Sequence, residues 1–121
     1  MIRGVRGAIT VEHNIEAEIL SATERLFKEM INANKIKACD VASVFLSVTD
    51  DINAAFPAKI IRMQEDWTYV PVMCMKEIAV PHSLEKCIRI MMHWNTELPQ
   101  EEIQHTYLEK AIQLRPDLKE K

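Results

Sequence analysis

The segment at residues 86–96, KCIRIMMHWNT, constrains the fold more than any other part of the chain. Its alternate face carries Arg89 in the middle of an otherwise apolar run. Because a guanidinium cannot lose its charge, burying it without an anionic partner is costly. The sequence therefore predicts an anion beside Arg89, either a carboxylate of this chain or a bound ligand. Apolar side chains recur at every second position, which predicts a strand with one buried face: Ile88, Ile90, Met92 and Trp94.

Length and composition predict one globular domain that buries its own core. The chain has 121 residues, of which 48% are apolar and 27% charged. A net charge of −3 argues against a broadly basic surface, so we expect no nucleic-acid partner. The N-terminal MIRGVRGAIT lacks the apolar stretch of a signal peptide, and the apolar run at 41–48 is too short to span a membrane. We therefore expect no membrane partner.

Three cysteines, Cys39, Cys74 and Cys87, occur without a C-x-x-C spacing. An odd count of this kind is typical of a reducing cytoplasm and argues against a disulfide framework or a zinc site. The four histidines have no metal-ligand spacing, and the chain has no phosphate-binding or dinucleotide-binding motif. We therefore expect neither a metal nor a cofactor. Neither Cys74 nor Cys87 has an evident base partner that would activate its thiol, so we do not expect a nucleophilic cysteine.

Periodicity and turn residues divide the chain into strands and helices. Asn14 is predicted as the N-cap of a long amphipathic helix, and Asn34 as its end. Pro57 fits the first position of a short helix, and Pro71 indicates an edge strand or a bulge. The predicted elements are strands at 1–11, 40–49, 67–80 and 86–96, a long helix within 12–34 and a short helix at 56–64.

The predicted order is β-α-β-α-β-β, which is an α/β fold with one mixed sheet and helices on one face. The C-terminal stretch leaves two possibilities: a helix after Pro99, or a short strand at HTYL, residues 105–108. One long and one short helix cannot cover both faces of a sheet, so we expect copies of the chain to cover the other face. Gly4 and Gly7 bracket Arg6 and indicate either a sheet irregularity or room for a ligand or a neighbouring chain.

Several long motifs in a fixed order resemble the AroH class of chorismate mutases over residues 2–118: IRGVRGAITVE, FPAKIIR, W-x-YVPVMCMKEI, KCIRIMM and YLEKAIQLRPDL. The resemblance implies a single domain over residues 1–121 and a homotrimer that forms a pseudo-α/β barrel, with sites between subunits. It also implies the unimolecular Claisen rearrangement of chorismate to prephenate, the committed step toward phenylalanine and tyrosine, which requires no cofactor.

The resemblance implies a role for each matching residue. Arg89 would donate to the ether oxygen of chorismate and to a carboxylate, and Arg6 would bind the other end of the dianion. Glu77 would accept from the ring hydroxyl, and Tyr107 would hydrogen-bond a carboxylate. Cys74 would lie beside the hydroxyl. In an unbroken strand, however, Cys74 and Glu77 point to opposite faces, so both reach one site only if the strand ends or bulges near residues 75–76.

Further residues would form the walls and rim of the cleft. Four of them would come from the adjacent subunit: Phe56 and Ala58 as wall, Lys59 and Arg62 as a cationic rim. Without the family, the default interpretation of these two cations is a solvated helix face. Three more would complete the site: Val72 in the wall, and Leu114 with Arg115 in a tail that closes over it and is mobile from about residue 115. Met73 would also lie in the wall, at a position where members of that family carry threonine.

Two other functions fit a small trimeric α/β protein. One is a non-catalytic module that binds a metabolite between subunits, and the other is an imine-hydrolysing deaminase of similar architecture. A pure binder has little need for Arg6, Glu77, Arg89 and Tyr107 together, which favours the mutase.

Overall fold

A computed structural model of the chain describes residues 1–114 and contains one mixed sheet of five strands in the order β3-β2-β4-β1-β5. The central strand β4 is antiparallel to β1 and β2, whereas β3 is parallel to β2 and β5 is parallel to β1. The strands are β1 (Ile2–Thr10), β2 (Val41–Val48), β3 (Val72–Lys76), β4 (Cys87–Asn95) and β5 (Thr106–Leu108); the helices are α1 (Glu16–Asn34) and α2 (Ala58–Arg62); 3-10 turns occur at Ala38–Asp40, Gln100–Glu102 and Glu109–Leu114.

One face of the sheet is packed against α1 and α2 and forms the main core. The period-two pattern of β4 is confirmed, because its even-numbered residues from 88 to 94 are all buried on this face. Phe27 of α1 meets Trp67 edge to face, with ring centroids 4.6 Å apart. Apolar burial of this kind is the main stabilising contribution to a domain of this size. The largest fully buried side chains include Ile9, Ile19, Leu26, Met30, Leu46, Ile61, Ile88, Ile90 and Met92.

Gly7 lies on this helix-facing side and allows α1 to approach the sheet. A Cβ atom built on Gly7 would lie 2.3 Å from Sδ of Met30, closer than any real contact. The pairing of β1 with β4 runs from Ile2 to Thr10 without a register shift, so the predicted irregularity does not occur in that pairing. At Gly7 the close approach is therefore with a helix of the same chain.

The sequence predicted the C-terminal end of α1 correctly but not its N-cap. The helix ends at Asn34 as predicted, and Lys35 follows in the left-handed conformation. The prediction of Asn14 as N-cap is wrong: Ile15 occupies that position without a side-chain cap. The Asn14 side chain instead accepts hydrogen bonds from the backbone N–H groups of Asn53 and Ala54.

The third strand is shorter than predicted. A turn closes at residues 67–70, where the N–H of Val70 donates to the carbonyl of Trp67, so β3 begins only after Pro71. It is an edge strand, as Pro71 indicated. Pro57 immediately precedes α2 instead of occupying its first position.

Both possibilities for the C-terminal stretch occur. A 3-10 turn follows Pro99, and Thr106–Leu108 forms β5, so the sheet has five strands instead of four. Arg115 and the predicted mobile tail lie outside the described residues.

The second face of the sheet, which we call the open face, carries the alternate residues of the strands. Phe45 and Met91 are half-buried there, and Met73 and Met75 of β3 are exposed. The 3-10 turn Glu109–Leu114 covers one end. Within residues 1–114, no helix packs over the remainder of this face. Over the same residues, none of the helices is long and apolar enough to cross a membrane.

Candidate active site

Strand pairing places three of the predicted site residues on the open face. Ala8 of β1 pairs with Arg89 of β4 on one side and with Tyr107 of β5 on the other, so these two residues share one row of the sheet. Two strand spacings put their Cα atoms about 10 Å apart. Arg6 lies on the same face, two residues back along β1. The row therefore presents cationic and hydroxyl donors across a distance that a small dianion can span.

Glu77 is the anion that the sequence predicted beside Arg89. Oε2 of Glu77 lies 3.0 Å from Nε of Arg89. The N–H of Glu77 donates to the carbonyl of Val48 at 2.8 Å, which extends the β2–β3 pairing past the end of β3. The carboxylate thus lies over Ser47, which pairs with Arg89 and donates to Oε2 at 3.2 Å. With side chains only 32% and 24% exposed, Arg89 and Glu77 form a partly desolvated pair.

Two buried donors on this face lack hydrogen-bond partners. Nε of Arg89 is close to Glu77, but the contact does not meet hydrogen-bond geometry, and the hydroxyl of Tyr107 has no partner among the described residues. An unsatisfied buried polar group typically costs about 1–3 kcal/mol. Within residues 1–114, Arg6 also forms no ion pair. The site therefore retains donors that are suited to an anionic ligand.

Leu114 lies at the same end of the open face. It packs, together with Tyr107, against a small cluster formed by Ala8, Cys87 and Ala111. The last residues that the structure describes therefore border the row of Arg89 and Tyr107.

Cys74 does not lie with Glu77 in the protomer. It pairs with Leu46, on the helix-facing side of β3, and packs against the main core. The β2–β3 pairing continues without a register shift, so no bulge turns Cys74 toward Glu77. Cys74 instead lines a cleft of about 550 Å³, which we call the Phe56 cleft and which Phe56, Pro57 and Met75 also line.

The remaining predicted residues lie around α2 and β3. Phe56 is 74% exposed at the mouth of its cleft, whereas Ala58 is buried at the start of α2. Lys59 and Arg62 are exposed on α2 and form no ion pair with any of residues 1–114. Val72 is half-buried on the same side of β3 as Cys74, and Met73 points to the open face opposite Phe45. The protomer thus carries two separate groups of predicted residues.

Sequence reasoning missed Ser47. The sequence feature that could have identified it is a serine within an apolar strand. Its position opposite Arg89, however, is known only once β2 and β4 are paired.

Cys87 neighbours Arg89 but is not a candidate nucleophile. Burial raises the pKa of its thiol, and the guanidinium of Arg89 opposes this to a smaller extent. The protonated thiol therefore persists at neutral pH, and a thiol is a poor nucleophile compared with a thiolate.

We predict that iodoacetamide labels Cys39, which is exposed, much faster than Cys87 in the native protein at pH 7–8. Because its pKa is raised, Cys87 should become reactive only above the usual thiol range or after unfolding. Mass spectrometry of timed samples measures both rates, and unfolded protein provides the control. Rapid native labelling of Cys87 at neutral pH would contradict this assignment.

Nearly the whole chain is similar to known chorismate mutases. The family model described as "Chorismate mutase type I" matches residues 2–118. The chain is 52% identical over 118 residues to "Chorismate mutase AroH" of Bacillus subtilis (strain 168), covering 98% of this chain and 93% of that protein. It is 44% identical over 119 residues to "Chorismate mutase AroH" of Thermus thermophilus, covering 98% and 97%.

A solved structure gives the same result. The fold matches that of a chorismate mutase from Clostridium thermocellum with a TM-score of 0.86 and 47% sequence identity, covering 90% of this chain and 96% of that one. Taken with the open-face row of Arg89 and Tyr107, these matches mean that the chain belongs to the type I chorismate mutase family.

Proposed function

We propose that the chain converts chorismate to prephenate in clefts between the copies of a homotrimer. The observation that carries this proposal is Arg89, a permanent cation in an apolar strand, which lies beside Glu77 and in one row with the unpartnered hydroxyl of Tyr107 among the described residues. In the Claisen rearrangement one C–O bond breaks and one C–C bond forms within the same molecule. The protein therefore needs only to hold a folded conformer and to stabilise the charge that shifts.

The open face would supply the half of the site that meets the developing charge. Arg89 donates to the ether oxygen, which becomes more negative as the C–O bond breaks, and to a nearby carboxylate. A planar guanidinium can make both contacts at once. Tyr107 hydrogen-bonds a carboxylate, Arg6 binds the opposite end of the dianion, and Glu77 accepts from the ring hydroxyl.

The adjacent copy would supply the other half from its Phe56 cleft. Phe56, Ala58 and Val72 form the wall, and Lys59 and Arg62 form a cationic rim that attracts the dianion. Because Cys74 lies in the Phe56 cleft and away from Glu77, we propose that it too reaches the site from the adjacent copy. Leu114 and Arg115 would close over the bound substrate.

The open face also supports the trimer. It exposes Met73 and Met75 beside the half-buried Phe45 and Met91, an apolar surface that a lone protomer would leave in contact with water. Packing these faces together would bury that surface and would bring each row of Arg89 and Tyr107 next to a neighbouring Phe56 cleft. We expect the enzyme to work in the cytoplasm, since its three cysteines are free.

The direct test is a turnover assay that follows the loss of chorismate absorbance with purified protein. A purely binding module would bind chorismate without consuming it. Consumption of chorismate with formation of prephenate would support the proposal, and binding without turnover would refute it.

We predict that Arg89→Ala lowers kcat by at least about 10²–10³, because removing one preorganised donor to a developing oxyanion costs about 2.7–4 kcal/mol. Arg89→Lys should recover only part of this loss, since an ammonium lacks the two-pronged geometry. Circular dichroism and sedimentation would verify that both variants stay folded and assembled. A kcat within a few-fold of the unaltered protein for Arg89→Ala would contradict this role.

We predict that two inactive variants complement each other when they share a trimer. Arg89→Ala disables the open-face half, and the double variant Lys59→Ala/Arg62→Ala disables the half from the neighbour. After equal amounts are refolded together, about a quarter of the sites would combine two intact halves. Sedimentation should give about three times the 14.0 kDa chain mass. A fully active monomer, or no gain on mixing, would exclude the shared site.

A further inference from the structure

Ser47 is a polar residue of the candidate site, but none of the roles implied by the resemblance to the type I family belongs to it. It lies in β2 within the apolar run VFLSV, and its side chain is on the open face. Pairing places it opposite Arg89 on one side and opposite Met75 on the other. It therefore lies under the carboxylate of Glu77, which extends from the end of β3.

The carboxylate of Glu77 is held at both oxygens. Oε2 accepts from the hydroxyl of Ser47 at 3.2 Å, and Oε1 accepts from the N–H of Ile78 at 3.1 Å. Arg89 contributes an ion pair at 3.0 Å that does not meet hydrogen-bond geometry. Among residues 1–114, Ser47 thus provides the only side-chain hydrogen bond to Glu77.

We propose that Ser47 is a positioning residue that acts on the reaction through Glu77, an inference that rests on the proposed function. An arginine and a carboxylate favour a bidentate pair with two parallel hydrogen bonds. Such a pair would occupy at least one donor on the terminal nitrogens of Arg89, and the proposed contacts to the substrate use those donors. The Ser47 hydroxyl holds Oε2 against the sheet, so Glu77 stays near Nε of Arg89 without taking over its terminal nitrogens.

Ser43 provides a matched control for a merely structural serine. It is also half-buried, lies on the same strand and face, and its hydroxyl forms a cross-strand hydrogen bond at 3.0 Å. Its partner, however, is His93, which has no assigned role in the site. If polar serines in β2 simply stabilise the strand, then Ser43→Ala and Ser47→Ala should have similar effects.

The kinetic experiment compares kcat/KM for Ser47→Ala, Ser47→Thr and Ser43→Ala, and for Ser47→Ala combined with Glu77→Ala. We expect Ser47→Ala to lower kcat/KM about tenfold, as for the loss of a hydrogen bond to a charged group. Ser47→Thr, which keeps the hydroxyl, should retain most of the activity, and Ser43→Ala should not change it. In the Glu77→Ala background, Ser47→Ala should cost nothing further. An equal loss in both backgrounds, or none in either, would overturn the proposal.

A second readout does not depend on turnover. The ¹³C chemical shift of the Glu77 carboxyl carbon, measured without substrate, should differ from that of the unaltered protein in Ser47→Ala and be the same in Ser43→Ala. An unchanged resonance in Ser47→Ala would refute the Ser47–Glu77 contact even if activity fell. If the unaltered protein did not consume chorismate, the proposed function would fail, and this resonance would still decide whether Ser47 positions Glu77.

Discussion

Arg89 can occupy the centre of a sheet because Glu77 lies 3.0 Å from it, and this ion pair fixes where the two opposite charges of the candidate site lie. The two residues come from strands that do not touch: β4 carries Arg89, and β3 leads to Glu77, with β2 between them. Ser47 of β2 connects them. Removing either charged partner would leave the other partly desolvated and alone, which is far more costly than losing the pair as a whole.

The pair leaves donors of Arg89 unused, and we expect the substrate to accept from them. A bidentate pair would take two of the five N–H donors of the guanidinium, whereas here the contact is through Nε and the terminal nitrogens remain able to donate elsewhere. Tyr107, in the same row, also has an unsatisfied buried hydroxyl within the described part of the chain. Under the proposed function these donors would be in place before the substrate arrives, and preorganised donors lower a barrier without reorganising during the reaction.

Much of the architecture could be predicted from local patterns. The period-two pattern of β4 identified its buried face, and Pro71 indicated an edge strand. Other features depend on distant partners. Asn14 failed as an N-cap because its side chain contacts Asn53 and Ala54, some 40 residues away. Cys74 illustrates a further limit. The alternation of side chains along β3 predicted that Cys74 and Glu77 lie on opposite faces of the sheet. Its neighbours in the Phe56 cleft, however, come from a loop whose path could not be predicted from the sequence. Resemblance to the family named the residues, and only the fold separated them into two groups.

We propose that the charge of Arg89 matches negative charge that appears on the ether oxygen in the transition state. Replacing Arg89 by citrulline tests it most directly, since citrulline keeps the shape and most donors of arginine but is neutral. Contacts that strengthen only in the transition state raise kcat. We therefore predict that the citrulline protein assembles normally but loses about 10²–10³ in kcat, close to the loss for alanine. A citrulline protein with nearly full kcat would show that Arg89 only positions the substrate, and the electrostatic account would be wrong.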